Sequence, residues 1–112
     1  SSPNTLRVKG GIHTDRGQVA AGASATTTLV TLANEAKNQT YLLSVRQSGS
    51  AVNNVMGYVT AYGTSANITR MAQDNTNPAL DLNFTTSGLA LQFTTGTGYG
   101  STTWDWVLTR LG

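Results

Sequence analysis

The chain is predicted to be all-β: one domain over residues 1–112, folded as an antiparallel β-sandwich of jelly-roll type. Three observations carry that reading. Apolar and polar residues alternate strictly in the last third, where Leu80, Leu82 and Phe84, then Leu89, Leu91 and Phe93, share strand faces. Turn residues recur along the chain at spacings of about ten, giving about eight or nine short strands. No segment carries the apolar spacing of an amphipathic helix.

Taken in order, residues 1–4 read as a lead-in from a longer parent chain, since the sequence opens Ser-Ser-Pro-Asn without an initiator Met. Residues 5–9 form a short strand that Gly10-Gly11 breaks, and 12–20 hold a second. The β-branched run 26–32 is a third strand. Residues 33–38 have helix-forming composition, but so short a stretch makes no stable helix and reads as a turn. Strand 40–47 follows, with Tyr41, Leu43 and Val45 opposite Leu42, Ser44 and Arg46. After Ser48-Gly49-Ser50, strand 54–62 sets Val55, Gly57, Val59 and Ala61 against Met56, Tyr58, Thr60 and Tyr62. A turn at 63–65 leads into strand 67–71, and 72–78 is a loop in which Pro78 lacks a ladder donor. Strands 80–84 and 89–93 then flank a hairpin turn at 85–88. The last strand, 104–111, is apolar on both sides, with Trp104, Trp106 and Leu108 on one and Val107 and Leu111 on the other.

Composition narrows the function. Charged residues make up 11% of the chain, against about 25% in soluble domains, and the net charge is +2. The basic residues are scattered rather than gathered into a stripe, which argues against nucleic-acid binding. With no cysteine there is neither a disulfide framework nor a thiolate metal site, and the chain suits assembly in a reducing compartment. No apolar run approaches the ~20 residues of a membrane-spanning helix.

Chemical groups are sparse. His13 and Asp15 lie two apart, but no strained Gly-x-Ser-x-Gly elbow accompanies them. The carboxylates Asp15, Glu35, Asp74, Asp81 and Asp105 are dispersed, with Asp81 and Asp105 facing outward or paired locally, so no catalytic residue is assigned. Asp74-Asn75-Thr76-Asn77 offers oxygen ligands but lacks the spaced acids, glycine and final Glu of a calcium loop, and no metal or cofactor is assigned. The aromatics say more. Tyr99, in Gly-Thr-Gly-Tyr-Gly-Ser, is expected to project from its loop, and Tyr58 and Tyr62 share a strand face. Aromatic faces stack on sugars, so Tyr99, Tyr58 and Tyr62 are the candidate carbohydrate contacts. The same residue types also fill cores and subunit interfaces, which is the reading for the tryptophans.

The Gly-Gly-Ile-His lead-in, the Thr-rich strand 25–32, Asn-Gln-Thr-Tyr-Leu-Leu-Ser-Val at 38–45, and the closing Gly-Leu-Ala-Leu-Gln-Phe and Trp-Asp-Trp-Val-Leu-Thr-Arg-Leu resemble the small terminal domains of bacteriophage tailspikes and tail fibres. That resemblance implies a trimeric β-sandwich in the virion's extracellular attachment structure. It would cap the spike, lock its three chains together and contact host cell-surface polysaccharide. The family's hydrolytic residues usually lie in a preceding β-helix, so none is carried over. The competing expectation is a monomeric, lectin-like carbohydrate-binding module of a secreted enzyme, and an independent hydrolase is a third. Oligomerisation also follows from the residues themselves. A lone two-sheet sandwich covers one face of each sheet, leaving apolar outer faces exposed. Trp104, Val107 and Leu111 are the expected interface, while the number three comes from the resemblance.

Overall fold

The structure, a computed structural model, describes residues 14–112. The lead-in 1–4, the expected strand 5–9 and His13 lie outside the described residues. Eight strands follow: β1 Thr14–Ala21, β2 Thr26–Thr31, β3 Glu35–Gln47, β4 Asn54–Gly63, β5 Ser65–Gln73, β6 Leu82–Ser87, β7 Ala90–Thr95 and β8 Thr102–Arg110. They form a five-stranded sheet in the order β1-β8-β3-β4-β5 and a three-stranded sheet in the order β2-β7-β6. Every pairing is antiparallel. The all-β sandwich expected from alternation is therefore what the chain forms. It departs from jelly-roll order: β3, β4 and β5 are consecutive neighbours, a meander where a Greek key would cross to the other sheet, and β6 lies beside β7 in the smaller sheet.

The two sheets close on the alternating apolar faces. Leu43, Val45, Val55, Val59 and Trp104 from the larger sheet meet Leu82, Leu91 and Phe93 from the smaller, all without solvent exposure or nearly so. Each such side chain contributes about 1.5–3 kcal/mol by leaving water. Hydrogen bonds close both open sides of the sandwich. On one, Arg70 Nη1 donates to the Leu82 carbonyl at 2.8 Å and Ala66 N to the Gly88 carbonyl at 3.0 Å. On the other, Thr95 Oγ1 donates to the Gly22 carbonyl at 2.6 Å and accepts from Ala25 N at 2.9 Å.

Three local expectations change. Of the turn expected over 33–38, residues 35–38 are instead the start of β3, where a bulge between Glu35 and Gln39 keeps the strand paired with β4. The Glu35 carboxylate also takes both Arg110 guanidinium nitrogens, Nη1 at 2.9 Å and Nη2 at 2.8 Å. The hairpin near 85–88 is tighter than expected. Ser87 pairs with Ala90, leaving a two-residue turn in which Gly88, at φ +60°, takes the first central position as type II′ demands. Leu80 is not in a strand but ends a 3₁₀ turn, Pro78–Leu80, which the Asn77 side chain caps by accepting from Ala79 N.

Candidate functional site

Directly opposed residues of an antiparallel sheet project to the same side, so register decides which side chains share the outer face of the large sheet. Leu42 pairs with Tyr58 on β4 and Thr109 on β8, while Ser44 pairs with Met56 and Val107. The result is an apolar band of Val107, Leu42, Met56 and Tyr58 across the middle of the sheet. Tyr62 lies further along β4 toward the β4–β5 hairpin, where it pairs with Ser65. Exposure is high for apolar side chains: Tyr62 63%, Met71 58%, Tyr58 41% and Met56 38%. Met71 sits at the β5 bulge opposite Met56 and Gly57. Leu42 and Val107 are half-buried by their neighbours, and Leu111 is exposed just past the end of β8.

Charges frame this band rather than cross it. Asp105 Oδ1 accepts from Gln18 Nε2 at 2.7 Å and Ser48 Oγ at 3.0 Å. Arg46 Nη1 donates to the carbonyls of Ser50 at 3.1 Å and Ala51 at 3.0 Å. Arg16 flanks Val107 on β1. At the hairpin end a shallow hollow of about 150 Å³ opens beside Tyr62, lined by Asn38, Thr60, Ala61, Ser65 and Asn67, none of them charged. Alternation assigns Tyr58 and Tyr62 to a face of one strand and Val107 and Leu111 to a face of another, without relating the two strands. Register brings Tyr58 and Val107 onto one face, each directly paired with a β3 residue of the same side. Leu42 and Met71 belong to that surface as well. Nothing local marks Leu42, whose same-face neighbours in sequence are Ser44 and Arg46.

Two site expectations are corrected. Tyr99 does not project: it is 6% exposed, its hydroxyl donates to the Leu80 carbonyl at 2.7 Å, and its ring meets Trp104 edge-on at 5.0 Å between centroids. The glycines around it do not shield it, but they let the loop fold back onto the 3₁₀ turn. Gly98 N donates to the Ala79 carbonyl at 2.7 Å and Gly96 N to the Asp81 carbonyl at 2.8 Å. A β-carbon at Gly96 would overlap the Ala79 carbonyl oxygen, so only glycine permits the approach. A buried ring offers no face to a sugar, and burial raises the Tyr99 hydroxyl pKa. Trp104 is not at an outer face either. It is wholly buried, packs edge-on against Phe93 at 5.2 Å and donates from Nε1 to the Ala21 carbonyl at 3.1 Å. Trp106 is buried in the same interior.

Among the described residues no three His, Asp or Glu side chains gather into a group that could hold a metal ion. Hydrogen bonding from Arg110 holds Glu35 below its ordinary pKa, and Gln73, then Arg70, does the same for Asp81. A general acid working near neutral pH needs the opposite shift. No helix of the described residues is long and apolar enough to cross a membrane.

No family model matches the chain, and no curated protein matches its sequence. Its fold does match solved structures. Against the tailspike protein gp49 of Acinetobacter baumannii bacteriophage Fri1, a capsular polysaccharide depolymerase, the TM-score is 0.60 at 11% identity, over 98% of this chain and 20% of that one. The tailspike protein of Acinetobacter phage vB_ApiP_P1 gives 0.49 at 12% identity, over all of this chain and 23% of that one. The chain thus spans about a fifth of the length of the gp49 tailspike, and its two-sheet sandwich is a fold found within that tailspike.

Proposed function

We propose that the chain is a terminal domain of a phage tailspike or tail fibre, holding three copies together and contributing to recognition of host cell-surface polysaccharide. The observation that carries this reading is the uncovered apolar band of Leu42, Met56, Tyr58 and Val107, on a chain whose fold matches part of a tailspike. Apolar sheet faces of this kind mark association surfaces, and the low charge of the chain opposes self-association only weakly. Val107 and Leu111 stay in the proposed interface, Tyr58 joins them, and Trp104 leaves it for the core. Three copies rather than two is the part taken from the tailspike resemblance. Catalysis is not assigned to this chain, whose described carboxylates are dispersed or engaged in structural pairs. The proposed place is the virion.

Light scattering at low micromolar concentration tests this, and a mass three times that of the chain is expected. Met56→Lys and Val107→Lys should give monomers whose far-UV circular dichroism is unchanged. A monodisperse, stable wild-type monomer would overturn the oligomer, and a dimer would remove the tailspike-specific part. The exposed Tyr62 beside its uncharged hollow favours the second reading, a monomeric carbohydrate-binding module. A monomer that binds glycan, and loses binding in Tyr62→Ala, would establish that alternative.

A further inference from the structure

We propose that the cleft at the corner between β5 and β6 is a binding subsite for an uncharged saccharide unit, a neutral hexose or N-acetylhexosamine held through adjacent hydroxyls. This rests on the polysaccharide-recognition reading above and adds the place and the sugar class. The cleft measures about 410 Å³ and is bordered by Gln73, Asn75, Thr76, Asn77, Pro78 and Asp81.

In Asp81, Asn75 and Asn77 one polar atom is spent on fixing the side chain, which leaves the other without a partner among the described residues. Asp81 Oδ1 accepts from Gln73 Nε2 at 2.6 Å and from Arg70 Nη1 at 3.0 Å, while Oδ2 accepts from no described residue. Gln73 is fixed in turn by accepting from Leu82 N at 2.9 Å. Asn75 Nδ2 donates to the Leu80 carbonyl at 2.9 Å, so its amide oxygen remains. Asn77 Oδ1 accepts from Ala79 N at 3.0 Å, so its NH₂ remains. Residues that carry a spare carboxylate oxygen, an amide oxygen, an amide NH₂ and the Thr76 hydroxyl therefore border one cleft. Sugar hydroxyls both donate and accept, and neighbouring ones present that mixture in pairs. Side chains locked beforehand lose little entropy when the ligand arrives.

Charge then selects among ligands. Asp81 is the one acid bordering the cleft and is already paired with Arg70, so the lining offers no free cation to hold a uronate or other acidic sugar. A calcium ion needs six to eight oxygens and more negative charge than one carboxylate with an arginine against it can offer. An uncharged polyhydroxylated ring is what remains.

The test is a ¹H–¹⁵N NMR titration of the full chain with the methyl glycosides of glucose, galactose, mannose and N-acetylglucosamine. Methyl glucuronide and calcium chloride form separate arms. A neutral glycoside should shift the side-chain amides of Asn75 and Asn77. Asp81→Asn should weaken that binding about tenfold or more, the loss expected for a hydrogen bond to a charged group. Thr76→Val, whose hydroxyl makes no side-chain hydrogen bond with a described residue, should weaken it without moving the unfolding midpoint. Shifts centred on Tyr62 instead would overturn this subsite and leave the glycan-recognition reading standing, whereas no shift with any sugar sinks both. Equal binding of the glucuronide overturns the sugar class. Calcium producing the same shifts without sugar makes this a cation site.

Discussion

Trp104 is the largest wholly buried side chain in the described structure, and its indole ties three parts of the chain together. It touches Phe93 of the facing sheet, Tyr99 of the β7–β8 loop and the Ala21 carbonyl at the end of β1. Trp104→Ala should therefore cost about 3–5 kcal/mol, read from the shift of the urea midpoint. Tyr99→Phe keeps the ring on Trp104 but strips the donor from the Leu80 carbonyl, and about 1 kcal/mol should be lost. Tyr62→Ala removes an exposed ring and should change stability by no more than about 0.5 kcal/mol. If Tyr62→Ala proves the most destabilising of the three, the division between core and surface aromatics is wrong.

Among the elements, β3 is the longest strand, and it is fastened at its start to the end of β8 through the bidentate Glu35–Arg110 pair. Arg110 also lies over the Tyr41 ring, 5.6 Å from its centroid. A second pin, Asp81 with Gln73 and Arg70, joins β5 to the start of β6. Both carboxyls are held below their ordinary pKa in the folded state, Glu35 by Arg110 and Asp81 by Gln73 and then Arg70. A depressed folded pKa adds stability that is fully present above the unfolded value and is lost as pH falls through the folded one. The window thus opens at about pH 4, where unfolded glutamate and aspartate titrate. Urea midpoints should fall below it, modestly because both pairs are close to solvent, and the double variant Glu35→Gln, Asp81→Asn should flatten that acid limb while lowering stability at neutral pH. An acid limb of unchanged slope would show that other groups govern it.

For the whole molecule, the proposed closed assembly makes stability depend on concentration. A face covered only when copies meet stabilises the folded state by mass action, so the melting temperature should rise with protein concentration. Val107→Lys places a charge in the half-buried middle of that face and should abolish the dependence. A melting temperature independent of concentration over two decades, together with a monomer mass, would mean that the band is simply solvated.

Alternation by itself determined the fold class and the two sides of each strand, because side-chain direction in a pleated strand repeats every two residues and needs no knowledge of neighbours. That is why Val55, Val59, Leu82, Leu91 and Phe93 were legible as interior. Met56, Tyr58 and Tyr62 were legible in the same way, as the opposite face of their strand. Strand ends and loops were less legible. Glu35 reads locally as part of a turn, and its pairing with Gly63 of β4 and with Arg110, both far along the chain, fixes it in a strand. Tyr99 reads as projecting from its glycines, and only the 3₁₀ turn over Pro78–Leu80 gives it a roof. The same holds for the candidate sites. Tyr58 and Val107 share a surface through the β4–β3–β8 register, and Gln73, Asn75, Asn77 and Asp81 share a cleft because β5 hands over to β6 at one corner. Period and composition are properties of a segment. Register and closure depend on contacts between residues distant in sequence, and those the tertiary structure alone decides.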